Sequence, residues 1–168
     1  LGITKTNAMR ILESKSLEYS LETYDAGDGK IDGVSVAEKT GLAPGTVFKT
    51  LVARSGSSHF YVFVVPVEDE LDLKKAAQAA GAKKVEMLPV KELQKVTGYI
   101  RGGCSPVGMK KLFPTFIDCR AEALEKMAVS GGRIGVQIII SPADLKKAVE
   151  AQFKQLTKNI TTDNLWGK

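Results

Sequence analysis

TVFKTLVAR (Thr46–Arg54) and HFYVFVVPV (His59–Val67), joined by the small polar run SGSS, decide how this chain folds. Both arms are crowded with β-branched and aromatic residues, which suit the pleated, half-buried surface of a strand, and the residues between them suit a tight reversal. The pair reads as a β-hairpin. One residue is out of place in it. Lys49 shares its face with Val47, Leu51 and Ala53, while Phe48, Thr50 and Val52 take the other. An ammonium on a buried face must find an anion, shift its pKa or reach water along its aliphatic stem. A rim lysine that snorkels and a lysine retained for chemistry both fit the strand alone.

Toward the N-terminus, Ala8, Met9, Ile11 and Leu12 recur at helical spacing and predict an amphipathic helix over 6–16. Tyr19, Leu21 and Thr23 alternate with polar residues and predict a strand ending near Tyr24. Turn formers fill DAGDGKIDG, and Ser35 with Glu38 has capping-box spacing for a short helix stopped by Gly41 and Pro44. Toward the C-terminus, an Ala-rich helix is expected over 71–80, with Glu68, Asp69, Glu70 and Asp72 around its start and Gly81 at its stop. KKVEML reads as a strand, Pro89 opens a helix running to Val96, and Gly98 ends it. PTFIDC, KMAVSGG and VQIII read as strands; Ser141-Pro142 opens a last helix that carries Leu145, Val149, Phe153 and Leu156 toward the core. Hairpins mixed with helices predict an α+β domain on a mixed, strongly curved, barrel-like sheet flanked by helices.

The chain's 168 residues suffice for one substantial core, so residues 1–168 are expected to form a single domain. Leu1-Gly2 in place of Met suggests that 1–3 are a trimmed start or a tag remnant, and 158–168, polar apart from Trp166, reads as a loosely ordered tail. No apolar run approaches the length a bilayer needs and no secretory pattern opens the chain, so a cytoplasmic protein without a membrane partner is expected. Cys104 and Cys119 fit neither a disulfide framework nor zinc-ligand spacing, and the single His59 cannot complete a site, so neither metal nor cofactor is expected. The net charge of +5 permits a nucleic-acid partner, although the basic residues fall in scattered pairs, as on solvated helix faces.

Chemistry concentrates in GYIRGGCSPVGMKK (Gly98–Lys111). Gly102 and Gly103 let backbone N–H groups approach a ligand, and Pro106 fixes the exit, a cradle suited to an anion or a developing oxyanion. A plain connecting loop fits the same residues. SGGRIG is a second glycine turn, with Ser130 offering a hydroxyl. Arg101 or Lys110 could lower the Cys104 pKa, but His59 at a hairpin start is a poor activating base, so neither a cysteine nucleophile nor a Ser-His-Asp triad is expected.

Taken in series, VFKTLV, LDLKKAAQAAGAKKVEM, TGYIRGGCSPVGMKK, PTFID and VSGGRIG resemble the YbaK/EbsC family of free-standing aminoacyl-tRNA editing proteins, related to the editing domain inserted in bacterial prolyl-tRNA synthetases. The resemblance runs from Tyr24 to the last helix. It implies a metal-free ester hydrolase acting on cysteine mischarged onto proline tRNA, with Cys-tRNA(Cys) as a further candidate, the acceptor end of aminoacyl-tRNA as partner, and prolyl-tRNA synthetase as a second one. It places the family's essential lysine on Lys49 and its glycine loop on Gly102 through Pro106, so that Lys49, Gly102 and Gly103 carry the catalytic assignment. Tyr24, Thr50, Tyr99, Cys104, Pro106, Ser130 and Gly131 make up the implied substrate pocket. Cys104 stands where an aliphatic residue is expected, and its thiol is taken as incidental; Gln137 stands where some members have an acid and receives no catalytic role. Two other readings accompany this one: an alanyl-tRNA(Pro) deacylase, and a noncatalytic module that binds tRNA or a synthetase.

Overall fold

The computed structural model describes residues 4–158; the segment 1–3 and the tail from 159 onward, Trp166 included, lie outside the described residues. The described end of the tail is held, because Lys158 donates to Glu70 through both its backbone N–H (3.2 Å) and its ammonium (3.0 Å).

Helix α1 spans Asn7–Ser14, with Thr6 as its N-cap, and β1 spans Ser20–Thr23. Helix α2 (Gly33–Thr40) is capped by Asp32, whose carboxylate accepts from Ser35 N; Ser35 is thus inside the first turn and not the cap that its spacing with Glu38 suggests. The hairpin forms as predicted, β2 (Phe48–Ser55) pairing antiparallel with β3 (His59–Pro66) in a register from Phe48 opposite Pro66 to Ser55 opposite His59. Then come α3 (Leu73–Ala80), capped by Asp72, a two-residue β4 (Glu86–Met87), α4 (Val90–Thr97) and β5 (Thr115–Asp118). Strands β6 (Met127–Ser130) and β7 (Val136–Ile140), helix α5 (Pro142–Val149) and strand β8 (Gln152–Lys154) complete the order.

The strands form two sheets, not the one barrel-like sheet expected. Five of them run in the order β4-β2-β3-β5-β8, with β3, β5 and β8 parallel to one another; the other three form an antiparallel sheet, β1-β7-β6. A parallel bridge between Val47 and Ala128 joins them. The main core lies where both sheets meet α1 and α5, around Met9, Leu12, Phe48, Val52, Ile117, Ile138 and Leu145. Residues of opposite parity on the hairpin, Ala53, Phe63 and Val65, pack under α3 against Ala76 and Ala77.

The last helix stops earlier than its apolar spacing suggests. Glu150 turns left-handed (φ 53°, ψ 45°) and ends α5, so Phe153 and Leu156 leave the helix. Phe153 instead pairs beside Ile117 in β8, and Leu156 N–H donates to Asp118 Oδ1 at 3.1 Å. A continued helix would leave the edge of β5 with unpaired backbone groups; the strand satisfies them. Asp118, 2% exposed, also accepts from Arg120 N and Nε at 3.2 and 3.0 Å. Removing this carboxylate leaves the buried Leu156 N–H without a partner and frees the Arg120 end of the network, so Asp118→Ala is expected to cost about 3 kcal/mol in urea denaturation, against about 1 kcal/mol or less for Lys74→Ala on the exposed side of α3.

Candidate active site

The start of β2, the 25–34 segment, the long glycine loop and Ser130 at the head of the second one line an open cavity of about 710 Å³. The bridge at Val47 and Ala128 sets its floor, because two residues beyond it in parallel strands stand Lys49 on β2 and Ser130 on β6, and Ser130 pairs with Gln137 on β7. Lysine, serine and glutamine thus lie across three neighbouring strands, all lining the cavity. Tyr24 enters from the end of β1, Thr50 from β2, and Gly102 and Cys104 from the long loop; Ile31, Val34 and Val36 form the facing wall.

Lys49 is half-buried and its ammonium makes no hydrogen bond or ion pair among the described residues. Burial pulls its pKa below the usual lysine range, while the more distant charges of Glu70 and Asp69 act in the opposite direction. Those two carboxylates are engaged elsewhere, Glu70 with Lys158 at 3.0 Å and Asp69 with Arg120 at 2.6 Å. The site therefore holds a partly desolvated cation with no short-range partner, an arrangement ready for an anionic or electron-rich group.

Two devices hold the walls. The N-terminus of α1 ties down both glycine loops: Thr6 Oγ1 donates to Gly131 O at 2.6 Å, and Asn7 Nδ2 to Gly108 O at 2.8 Å. On the opposite wall, Lys39 Nζ donates to Asp25 O, Asp28 Oδ1 and Lys30 O at 2.7, 2.7 and 2.9 Å and stands 5.9 Å from the Tyr24 ring centroid. Gly102 is needed for its backbone, with φ at +85°; a Cβ there would also come within 2.6 Å of Ile31 Cδ1, the movable end of that side chain.

The sequence assignment divides accordingly. Lys49, Thr50, Tyr24, Gly102, Cys104 and Ser130 line the cavity; Gly103, Tyr99, Pro106 and Gly131 do not. Gly103 N–H donates to Ile100 O at 2.9 Å, closing a turn, so it is not a free oxyanion donor, and a Cβ on Gly103 would stand 3.0 Å from Ile134 N, where the two loops abut. The N–H groups of Gly102 and Cys104, by contrast, have no partner among the described residues. Tyr99 is a strut: its hydroxyl donates to Val107 O at 2.6 Å inside the loop. Gly131 N–H donates to Val136 O, closing the second glycine turn. Gln137, given no catalytic role from sequence, lines the cavity at 5% exposure with no partner for its Oε1 among the described residues. Its signal was a polar residue inside the apolar run VQIII. Among the described residues, no three His, Cys, Asp or Glu side chains gather where they could hold a metal ion, and no helix is long and apolar enough to cross a membrane.

Residues 32–148 match the family described as the aminoacyl-tRNA editing domain. EbsC of Enterococcus faecalis, provisionally named a Cys-tRNA(Pro)/Cys-tRNA(Cys) deacylase, is 44% identical over 153 residues, covering 91% of this chain and 93% of that protein. The chain belongs to the YbaK/EbsC-like aminoacyl-tRNA editing family. The editing domain also matches a proline–tRNA ligase of Shouchella clausii, 29% identical over 103 residues that make up 61% of this chain and 18% of the ligase. Its fold recurs in a crystal structure provisionally described as a trans-editing enzyme for prolyl tRNA synthetase (TM-score 0.78, 24% identity, covering 93% of this chain and 99% of that one). It recurs again in that of the hypothetical protein APE2540 (TM-score 0.83, 21% identity, covering 91% and 100%).

Within this editing domain the Cys104 thiol is buried and pushed up to about 12, chiefly by that burial. At pH 8 it is almost wholly protonated, so iodoacetamide is expected to modify it about 100-fold or more slowly than a free thiol, read by mass spectrometry of the native protein. Lys49 carries a desolvation cost without a compensating partner. Lys49→Met, which keeps the stem and removes the charge, is expected to raise Tm in thermal denaturation by no more than about 2–4 °C, a gain of about 1 kcal/mol at most after solvent screening of the half-exposed ammonium.

Proposed function

We propose that this editing domain is a trans-acting deacylase that releases cysteine from mischarged Cys-tRNA(Pro), using the substrate's own thiol. The observation that carries the reading is the half-buried Lys49 ammonium, unpartnered among the described residues, in a cavity lined also by Gly102 and Cys104, whose backbone N–H groups have no partner among those residues. The name of EbsC and the partial match to a proline–tRNA ligase support tRNA(Pro) as the adaptor.

The chemistry needs no protein nucleophile, in keeping with the inert Cys104 thiol. The substrate sulfur attacks its own ester carbonyl, forming a C–S bond and a tetrahedral oxyanion; the C–O bond to the ribose then breaks, and the thiol proton ends on the ribose oxygen. The resulting small-ring thiolactone is opened by water to free cysteine. Holding sulfur and carbonyl together supplies a high effective concentration. Gly102 and Cys104 N–H groups bind the developing oxyanion, and Lys49 either adds to that stabilisation or holds the terminal adenosine's phosphate.

A deacylation panel of cysteinyl, alanyl and seryl esters on tRNA(Pro) tests this. Cysteinyl-tRNA is expected to turn over fastest, with Lys49→Ala lowering its rate on the order of 100-fold or more and Cys104→Ser leaving it within about threefold. Faster alanyl than cysteinyl release would replace the thiol route with a water route, and salt-sensitive tRNA binding without hydrolysis of any ester would make the chain a binding module.

A further inference from the structure

Three buried side-chain atoms have no hydrogen-bond partner among the described residues: Tyr24 Oη, Thr50 Oγ1 and Gln137 Oε1. All three belong to residues lining the cavity beside Lys49. The interior is otherwise careful with its polar groups. Tyr99 Oη, Thr97 Oγ1 and the Asp118 carboxylate are all buried and all paired. An unpaired buried polar atom costs about 1–3 kcal/mol, so three on residues that line one cavity point to a ligand that supplies what they lack once it settles among them.

Their chemistry narrows the ligand. An amide oxygen only accepts, and both hydroxyls can accept by rotating. The complement is a group with several N–H bonds. In an aminoacyl ester the two ester oxygens only accept, the ribose hydroxyl offers a single O–H, and the α-amino group offers up to three N–H bonds. Gln137 is also neutral. A carboxylate at that position, across Ser130 from Lys49, would be drawn to the lysine ammonium, whereas an amide leaves Lys49 free for the reacting ester.

We infer that Gln137, Tyr24 and Thr50 seat the α-amino group of the aminoacyl ester, making the chain selective for esters with a free amine over N-acylated ones such as peptidyl esters. The inference rests on the deacylase reading for the nature of the ester and goes beyond it in assigning the amine site.

Calorimetry with hydrolysis-resistant probes tests it: 3′-deoxy-3′-(cysteinylamino)adenosine, its N-acetyl derivative, and the 3-mercaptopropionyl counterpart that lacks the amine. The wild-type protein is expected to bind the free-amine probe about tenfold or more tighter than the other two. Gln137→Met should reduce that preference below about threefold without lowering Tm, because it removes an unpaired buried group, and Thr50→Val should weaken it in the same direction. Equal binding of the three probes by the wild-type protein overturns the inference. So does a Gln137→Met variant that binds every probe more weakly by one common factor, or that unfolds at lower temperature with its preference intact. The probes cannot be cleaved, so a protein inactive on every ester of the deacylation panel can still show the amine preference, and an active one can lack it.

Discussion

A single parallel bridge, Val47 against Ala128, joins two otherwise separate sheets, and the architecture of the site depends on it. It is buried in a small apolar cluster with Ala37 and Val67, and Val67 N–H closes onto Val47 O at 2.9 Å. Beyond that junction β2 and β6 pair no further among the described residues, and residues of both line the cavity. Lys49, Ser130 and Gln137 therefore line one cavity although they come from two sheets and the first and last stand 88 positions apart in the chain.

The price of that arrangement falls on Lys49. Buried enough to lose water and placed beyond short reach of Glu70 and Asp69, its ammonium is held in tension between solvation and function. The polar atoms of Tyr24, Thr50 and Gln137 repeat the pattern in uncharged form. Stability is spent within one small region, while the surrounding core is apolar and fully packed around Phe63, Ile117 and Ile138.

The hairpin could be read directly because each arm states its strand character locally, and the parity of Lys49 with Leu51 and Ala53 survives intact in the fold. The end of α5 could not, because Phe153 and Leu156 continue a helical period and only the distant edge of β5 makes a strand the better outcome. The division into two sheets was hidden for the same reason, since local patterns do not reveal where pairing between strands stops. In the site, Lys49 and Gly102 were legible as local anomalies, a charge among apolar residues and a glycine pair in a loop. Gly103 and Tyr99 were not distinguishable from them, because their roles as turn closure and strut depend on Ile100, Val107 and the abutting loop at Arg133-Ile134. Gln137 was noticed in the sequence as an amide where some family members have an acid but was given no role, because the lack of a partner for its Oε1 among the described residues becomes visible only in three dimensions.

Lys39 gathers the far wall with three oxygen acceptors, all between Asp25 and Lys30, while its own backbone belongs to α2. Two of those acceptors are main-chain carbonyls, which any residue type provides. The wall is thus clasped by shape more than by spelling: its amino acids can drift, and a helix-borne cation still draws the strap to the same distance from the opposite side.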